Sequence, residues 1–86
     1  MPRLSYFYGI LIYMYPDDHN PPHFHAWYNE FEAVISIKDF ALIEGKLPSK
    51  ALAMVIEWTS LHQVELMDNW NNLKARKPFF KIEPLK

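Results

Sequence analysis

The chain contains no cysteine, which excludes disulfides and thiolate metal sites. No apolar run reaches the roughly 18 residues that a membrane span needs. The N-terminus has no basic segment followed by an apolar stretch and a small-residue cleavage site, so it does not read as a secretory signal. These absences predict a cytoplasmic protein without membrane contact. No internal repeat and no low-complexity segment is visible. Disorder is excluded by composition, because half of the residues are hydrophobic and 16% are aromatic. The 86 residues are expected to form one domain, 1–86, with a single small core. So apolar a short chain predicts a homo-oligomer or a cognate small protein as partner.

Net charge is also scarce, at -1. That value conceals an asymmetry. Residues 1–73 carry four basic and nine acidic side chains, whereas residues 74–86 carry five basic and one acidic. Lys74, Arg76, Lys77 and Lys81 follow one another without an intervening acid. The tail reads either as a site for phosphate or acidic groups or as an ordinary solvated segment whose cations suit a helix C-terminus. Four charges are too few to demand nucleic acid.

What the chain does have is histidine in one place. The run His19-Asn20-Pro21-Pro22-His23-Phe24-His25 holds three of its four histidines. Histidine titrates near neutral pH and is the commonest metal ligand. Upstream, Tyr6 to Tyr15 is a nearly continuous aromatic and aliphatic run, broken by Gly9, and predicts one largely buried strand. The prolines from Pro16 to Pro22 predict a loop.

The segments after the loop test each other. With Asn29-Glu30 as a two-residue turn, strands 23–28 and 31–37 pair Tyr28 with Phe31, Ala26 with Ala33 and Phe24 with Ile35. The other face pairs Trp27 with Glu32, His25 with Val34 and His23 with Ser36. One register therefore sorts the apolar pairs to a core face and leaves a mixed, wetter face. His23 and His25 fall on the wetter face, away from Phe24, Ala26, Ile35 and Ile37.

Phe40 to Glu44 predicts a further short strand, ended by Gly45-Lys46. A helix starts near Pro48 or Ser49, with Pro suited to the first turn and Ser to an N-cap. Leu52, Val55, Ile56, Leu66, Trp70 and Leu73 gather on one side of its wheel and should cover the sheet. Met54, Trp58 and Leu61 form a second stripe off that face, a candidate partner surface. Continuous helix through Leu73 would span roughly 37 Å, against a radius of gyration of about 12 Å for a domain of this size. It must overshoot, bend or pack on something else. Pro78 marks its latest end, and 79–83 offers an edge strand. The expected class is α+β: an antiparallel sheet of three to four strands backed by one long C-terminal helix.

His23 and His25, two apart on a strand, have Cα atoms roughly 7 Å apart on one face. Two imidazoles so placed can converge on zinc or another divalent ion, with His19 or Asp17/Asp18 completing the set from the loop. They can equally serve metal-independent acid–base catalysis of RNA cleavage, one ring taking a proton and the other giving one. The plainest alternative is that they hydrogen-bond the loop in place, and no cofactor is then needed. Arg3 is the one cation near the N-terminal strand and could hold a phosphate beside the histidines. His62, on the helix, reads as a boundary residue outside the cluster.

These residues also carry a family resemblance. The order Tyr6-Phe7-Tyr8-Gly9-Ile10, Asp18-His19-Asn20-Pro21-Pro22-His23-Phe24-His25-Ala26, Gly45-Lys46-Leu47-Pro48, Glu57-Trp58 and Lys81-Ile82-Glu83-Pro84-Leu85 resembles the bacterial family catalogued as domain of unknown function four-one-six-zero. The His-x-Pro-Pro-His-x-His box carries most of the specificity. Asn29-Glu30 stands where many members have Gly in the turn. The resemblance implies a small cytoplasmic protein encoded beside another small protein, in a toxin–antitoxin-like layout. The leading expectation is thus a component of such a module, acting through its histidine surface and a partner. The alternatives are an RNA-cleaving toxin using His19, His23, His25 and Arg3, and a metal-binding interaction module using His19, His23 and His25.

Overall fold

The computed structural model describes residues 2–86. Five strands lie side by side in chain order as an antiparallel meander: β1 (Arg3–Phe7), β2 (Ile10–Tyr13), β3 (His23–Tyr28), β4 (Phe31–Ser36) and β5 (Ala41–Gly45). Two helices follow, α1 (Ser49–Leu61) and α2 (Gln63–Lys74). The α+β class is as expected. The sheet has five strands instead of three to four, and the single long helix is two.

The extra strand comes from the run Tyr6–Tyr15, which is a hairpin and not one strand. Tyr8 and Gly9 both have positive φ, 50° and 81°, as the tight turn compatible with strand twist requires. Gly9 adopts that geometry freely; Tyr8 does so against the usual preference of a bulky residue. The β3–β4 ladder has the register derived above, from His23 opposite Ser36 to Tyr28 opposite Phe31, with Asn29 at φ 52° in the turn. Burial alternates along His23, Phe24, His25 and Ala26, with both apolar residues fully buried. At the far edge, Gly45 (φ 78°) passes so close to β4 that a Cβ there would run into the Glu32 carbonyl oxygen.

The helix breaks at His62, whose φ of -126° and ψ of 26° leave the helical region. No proline or glycine causes it. Thr59 turns its hydroxyl back onto the Val55 carbonyl at 2.7 Å, a bond that bends helices. His62 then opens α2, with its Nδ1 2.6 Å from the Glu65 carboxylate in the first turn. Trp58 falls off the predicted core stripe although it is fully buried, because the C-terminal segment covers its side of α1. The radius of gyration is 11.6 Å.

Trp58 is the hub of the core. Its ring lies 5.3 Å from Phe7 and 5.8 Å edge-on to Phe24, and its indole N–H donates to the Glu83 carbonyl at 2.8 Å. Met54 is half-buried against the same core and Leu61 is exposed, so these three do not form a free stripe. The space that the sequence left to a partner is taken by the chain's own C-terminal segment. Fully buried Asn69 clamps that segment by giving its amide to the Phe80 carbonyl (2.8 Å) and accepting the Phe80 N–H (2.9 Å). Residues 79–83 make one strand-like bond, Ile82 N–H to the Leu4 carbonyl at 2.8 Å, and no strand. The side-chain clamps replace the ladder.

Asn69→Ala removes both clamps and leaves the Phe80 backbone groups without partners. It should lower unfolding free energy by about 2–3 kcal/mol, measured by urea denaturation. An unchanged midpoint would mean that apolar contacts alone hold the segment.

Candidate metal centre

The loop between β2 and β3 folds back over the start of β3. The Asp18 N–H donates to the Tyr15 carbonyl at 3.3 Å, the Asn20–Pro21 peptide is cis, and the Ile37 N–H donates to the Pro22 carbonyl at 3.1 Å. This route brings the Asp18 carboxylate over the histidines. Its Oδ2 lies 3.0 Å from Nε2 of His23 and 3.0 Å from Nε2 of His25. The three atoms are all within 4.8 Å of one another.

The other nitrogen of each ring is already committed. Nδ1 of His23 is 2.8 Å from the Pro21 carbonyl, and Nδ1 of His25 is 3.0 Å from Glu32 Oε2. Both partners only accept, so each Nδ1 carries a hydrogen and donates it. A neutral ring then presents a bare lone pair at Nε2, facing a carboxylate oxygen that also only accepts. Two lone pairs converging on a third are repulsive unless positive charge sits among them. Protons on the rings or on Asp18 relieve that repulsion, and so does one metal ion.

The spacing suits the ion. With metal–ligand bonds of ~2.1 Å, neighbouring ligand atoms are about 3.0 Å apart around an octahedral ion and about 3.4 Å around a tetrahedral one. The two Asp18–imidazole edges of 3.0 Å fit the octahedral value and equally an N–H···O hydrogen bond. The Nδ1 bonds are the outer partners that fix ring orientation in histidine metal sites. Side-chain exposures of 13% for His23, 16% for His25 and 26% for Asp18 describe a corner sheltered from bulk water yet open on one side.

The walls come from three directions. Tyr15 meets His25 edge-on at 4.6 Å, and the Trp70 ring of α2 lies 5.2 Å from His23. Lys74 places its ammonium 4.7 Å from the centroid of the Trp70 ring, and Arg76 reaches Asp17, the neighbour of Asp18, at 3.4 Å. The alternation that turns His23 and His25 away from Phe24 and Ala26 is as expected. That face is not clear of the helices, however: the Trp70 ring of α2 lies beside His23.

Of the other expected site residues, His19 is exposed and outside the converging set, where Asp18 stands instead. Arg3 lies on edge strand β1 with its guanidinium 6.0 Å over the Tyr6 ring; it is opposite Tyr13, which is opposite His25, and stands outside the converging set. His62 stacks on Trp58 at 5.5 Å, at the helix break and apart from the cluster. Glu32 was not singled out in the sequence. It stands two positions from Val34, the partner of His25, and such diagonal neighbours reach each other in a sheet, so the register contained this contact. Nothing in the sequence pointed to Trp70 as a wall of the site.

A family model described as Domain of unknown function (DUF4160) matches residues 9–71. The chain belongs to that family. The matched stretch of the family domain includes Asp18, His23, His25, Glu32 and Trp70, and stops before Lys74. No curated protein and no solved structure matches the chain. Among the described residues, no helix is long and apolar enough to cross a membrane.

With the metal absent, His25→Ala removes a half-buried ring that bonds Glu32 and packs on Tyr15. It should cost about 1–2 kcal/mol, more than a fully wet face would imply, with the circular dichroism spectrum unchanged. Loss of the folded spectrum would instead make the cluster a core element of the fold.

Proposed function

We propose that the chain is a mononuclear divalent-metal module, with Asp18 Oδ2, His23 Nε2 and His25 Nε2 as ligands. The observation that carries this reading is the convergence of two imidazole Nε2 atoms on one carboxylate oxygen, at 3.0 Å each, while both Nδ1 atoms face acceptors. Two nitrogens and one oxygen suit zinc, iron(II) or a related transition ion, and not magnesium or calcium, which prefer all-oxygen sites. Three protein ligands leave coordination positions for water and a ligand, the arrangement of catalytic and not structural centres. A divalent ion held there would polarise a bound oxygen and lower the pKa of a coordinated water. The residues around it orient and shelter: Pro21 and Glu32 fix the two rings, and Tyr15 and Trp70 exclude bulk water. In the toxin–antitoxin-like setting expected of the family, this centre would be the chemically active end of the protein. Its partner, if it has one, would meet a surface other than buried Trp58.

The metal-independent alternative is less well supported. Acid–base cleavage of RNA needs one imidazole lone pair aimed at the substrate, and both Nε2 atoms aim at Asp18.

Zinc titrated into chelator-stripped protein should bind one ion per chain by calorimetry. At a free concentration of 100 Kd it should stabilise the fold by about 2.7 kcal/mol. Asp18→Ala, His23→Ala and His25→Ala should each abolish or severely weaken binding. Glu32→Gln, which loosens only the outer partner of His25, should weaken it by roughly 10–100-fold. Wild-type affinity in the three ligand variants would overturn the proposal.

A further inference from the structure

A cavity opens at the edge of β1, where three parts of the chain meet. β1 and the first turn of α2 supply two of its walls. The C-terminal segment, tied to β1 by the Ile82 N–H to Leu4 carbonyl bond of 2.8 Å, supplies the third. The volume is about 350 Å³, within the ~300–1,000 Å³ range of small-molecule sites. The cavity shares no residue with the metal corner.

Two features set it apart. The first is Ser5. The register of β1 shifts between Arg3 and Ser5, so Leu4 and Ser5 are buried side by side where strict alternation would expose one of them. The Ser5 hydroxyl is buried and has no hydrogen-bond partner among the described residues. Buried polar groups are nearly always paired, so an orphan on the wall of a cavity calls for a partner from outside the chain. The second feature is charge. Arg3, Lys81 and Glu83 all line the cavity, and none of them makes an ion pair among the described residues. Charges of both signs thus border one space without joining across it. Glu65, the fourth charged neighbour, is already held by His62 Nδ1 at 2.6 Å.

We infer that this cavity binds an apolar α-amino acid. A ligand of one charge is attracted by some of these walls and repelled by the others, whereas a zwitterion is attracted by both kinds. The carboxylate goes to Arg3 and Lys81, where the guanidinium fork can hold two oxygens at once. The ammonium goes to Glu83, which only accepts. Ser5 turns about its one side-chain bond and gives its hydroxyl to the carboxylate. Buried Ile82 and the Tyr6 ring line the same space and offer an apolar wall to the ligand's side chain.

The test is titration of L-leucine into isotope-labelled protein, followed by amide NMR. The Ser5, Ile82 and Glu83 amides should shift, with a Kd on the order of 0.1–1 mM for a ligand of this size. Isocaproate lacks the ammonium and isoamylamine lacks the carboxylate, and each should bind about tenfold or more weakly. Arg3→Ala and Glu83→Ala, both at exposed positions, should weaken leucine binding by a similar factor while the amide spectrum of the free protein stays folded. Ser5→Ala should weaken leucine binding and raise the melting temperature of the free protein, because it removes an unpaired buried hydroxyl. A variant that merely unfolds cannot give that pair of results. Asp18→Ala, at the metal corner, should leave leucine binding unchanged. The inference is overturned if leucine at ~20 mM, well above that Kd, leaves these amides unshifted. It is equally overturned if either singly charged analogue binds as tightly as leucine, or if Ser5→Ala lowers the melting temperature.

Discussion

The pairing of β3 with β4 is the constraint on which the rest depends. A strand offers its two faces in strict alternation, and a slip of one residue would exchange them. In the observed register, Phe24, Ala26, Ala33 and Ile35 form the floor under the helices. The same register leaves His23, His25 and Glu32 no option but the other side. Core and chemistry are thus one decision read from two directions. A change that improved apolar burial by shifting the ladder would dismantle the histidine corner at once.

The corner also needs two elements that the ladder does not supply. The loop before β3 carries Asp18 across to the two imidazoles, and α2 closes the side with Trp70. The adjacent carboxylates of the loop divide their roles. Asp18 turns inward to the rings, while Asp17 turns outward to Arg76 in an exposed pair of little energetic weight. Trp70 stands in α2, beyond the break at His62, so the second helix and not α1 brings a ring to His23.

Legibility in the sequence followed the range of the forces involved. The β3–β4 hairpin was readable because a local turn and period-two burial dictate six cross-strand pairs together. The β1–β2 hairpin was half hidden: Gly9 was its one turn signal, and its partner in the turn is Tyr8, a bulky residue with positive φ inside an apolar run without polar punctuation. The helix break was hidden for a similar reason, since it arises from a threonine back-bond and a histidine–glutamate contact instead of proline or glycine. Trp58 was misassigned because its burial is decided by residues 25 positions away, through the Glu83 carbonyl. The histidines of the centre were evident from their spacing. The selection of Asp18 over Asp17 and His19 depended on the path of the loop, which no periodicity encodes.

The strapping of residues 80–83 across Trp58, Asn69 and Leu4 bears on how the chain comes to be folded in a cell. Synthesis proceeds from the N-terminus, so the sheet and both helices emerge before the strap does. Until Phe80 and Glu83 arrive, a buried asparagine and the central tryptophan lack their hydrogen-bond partners, and the core lies open along one flank. Docking of the strap is therefore the step that completes the core, because it supplies the partners of Trp58 and Asn69.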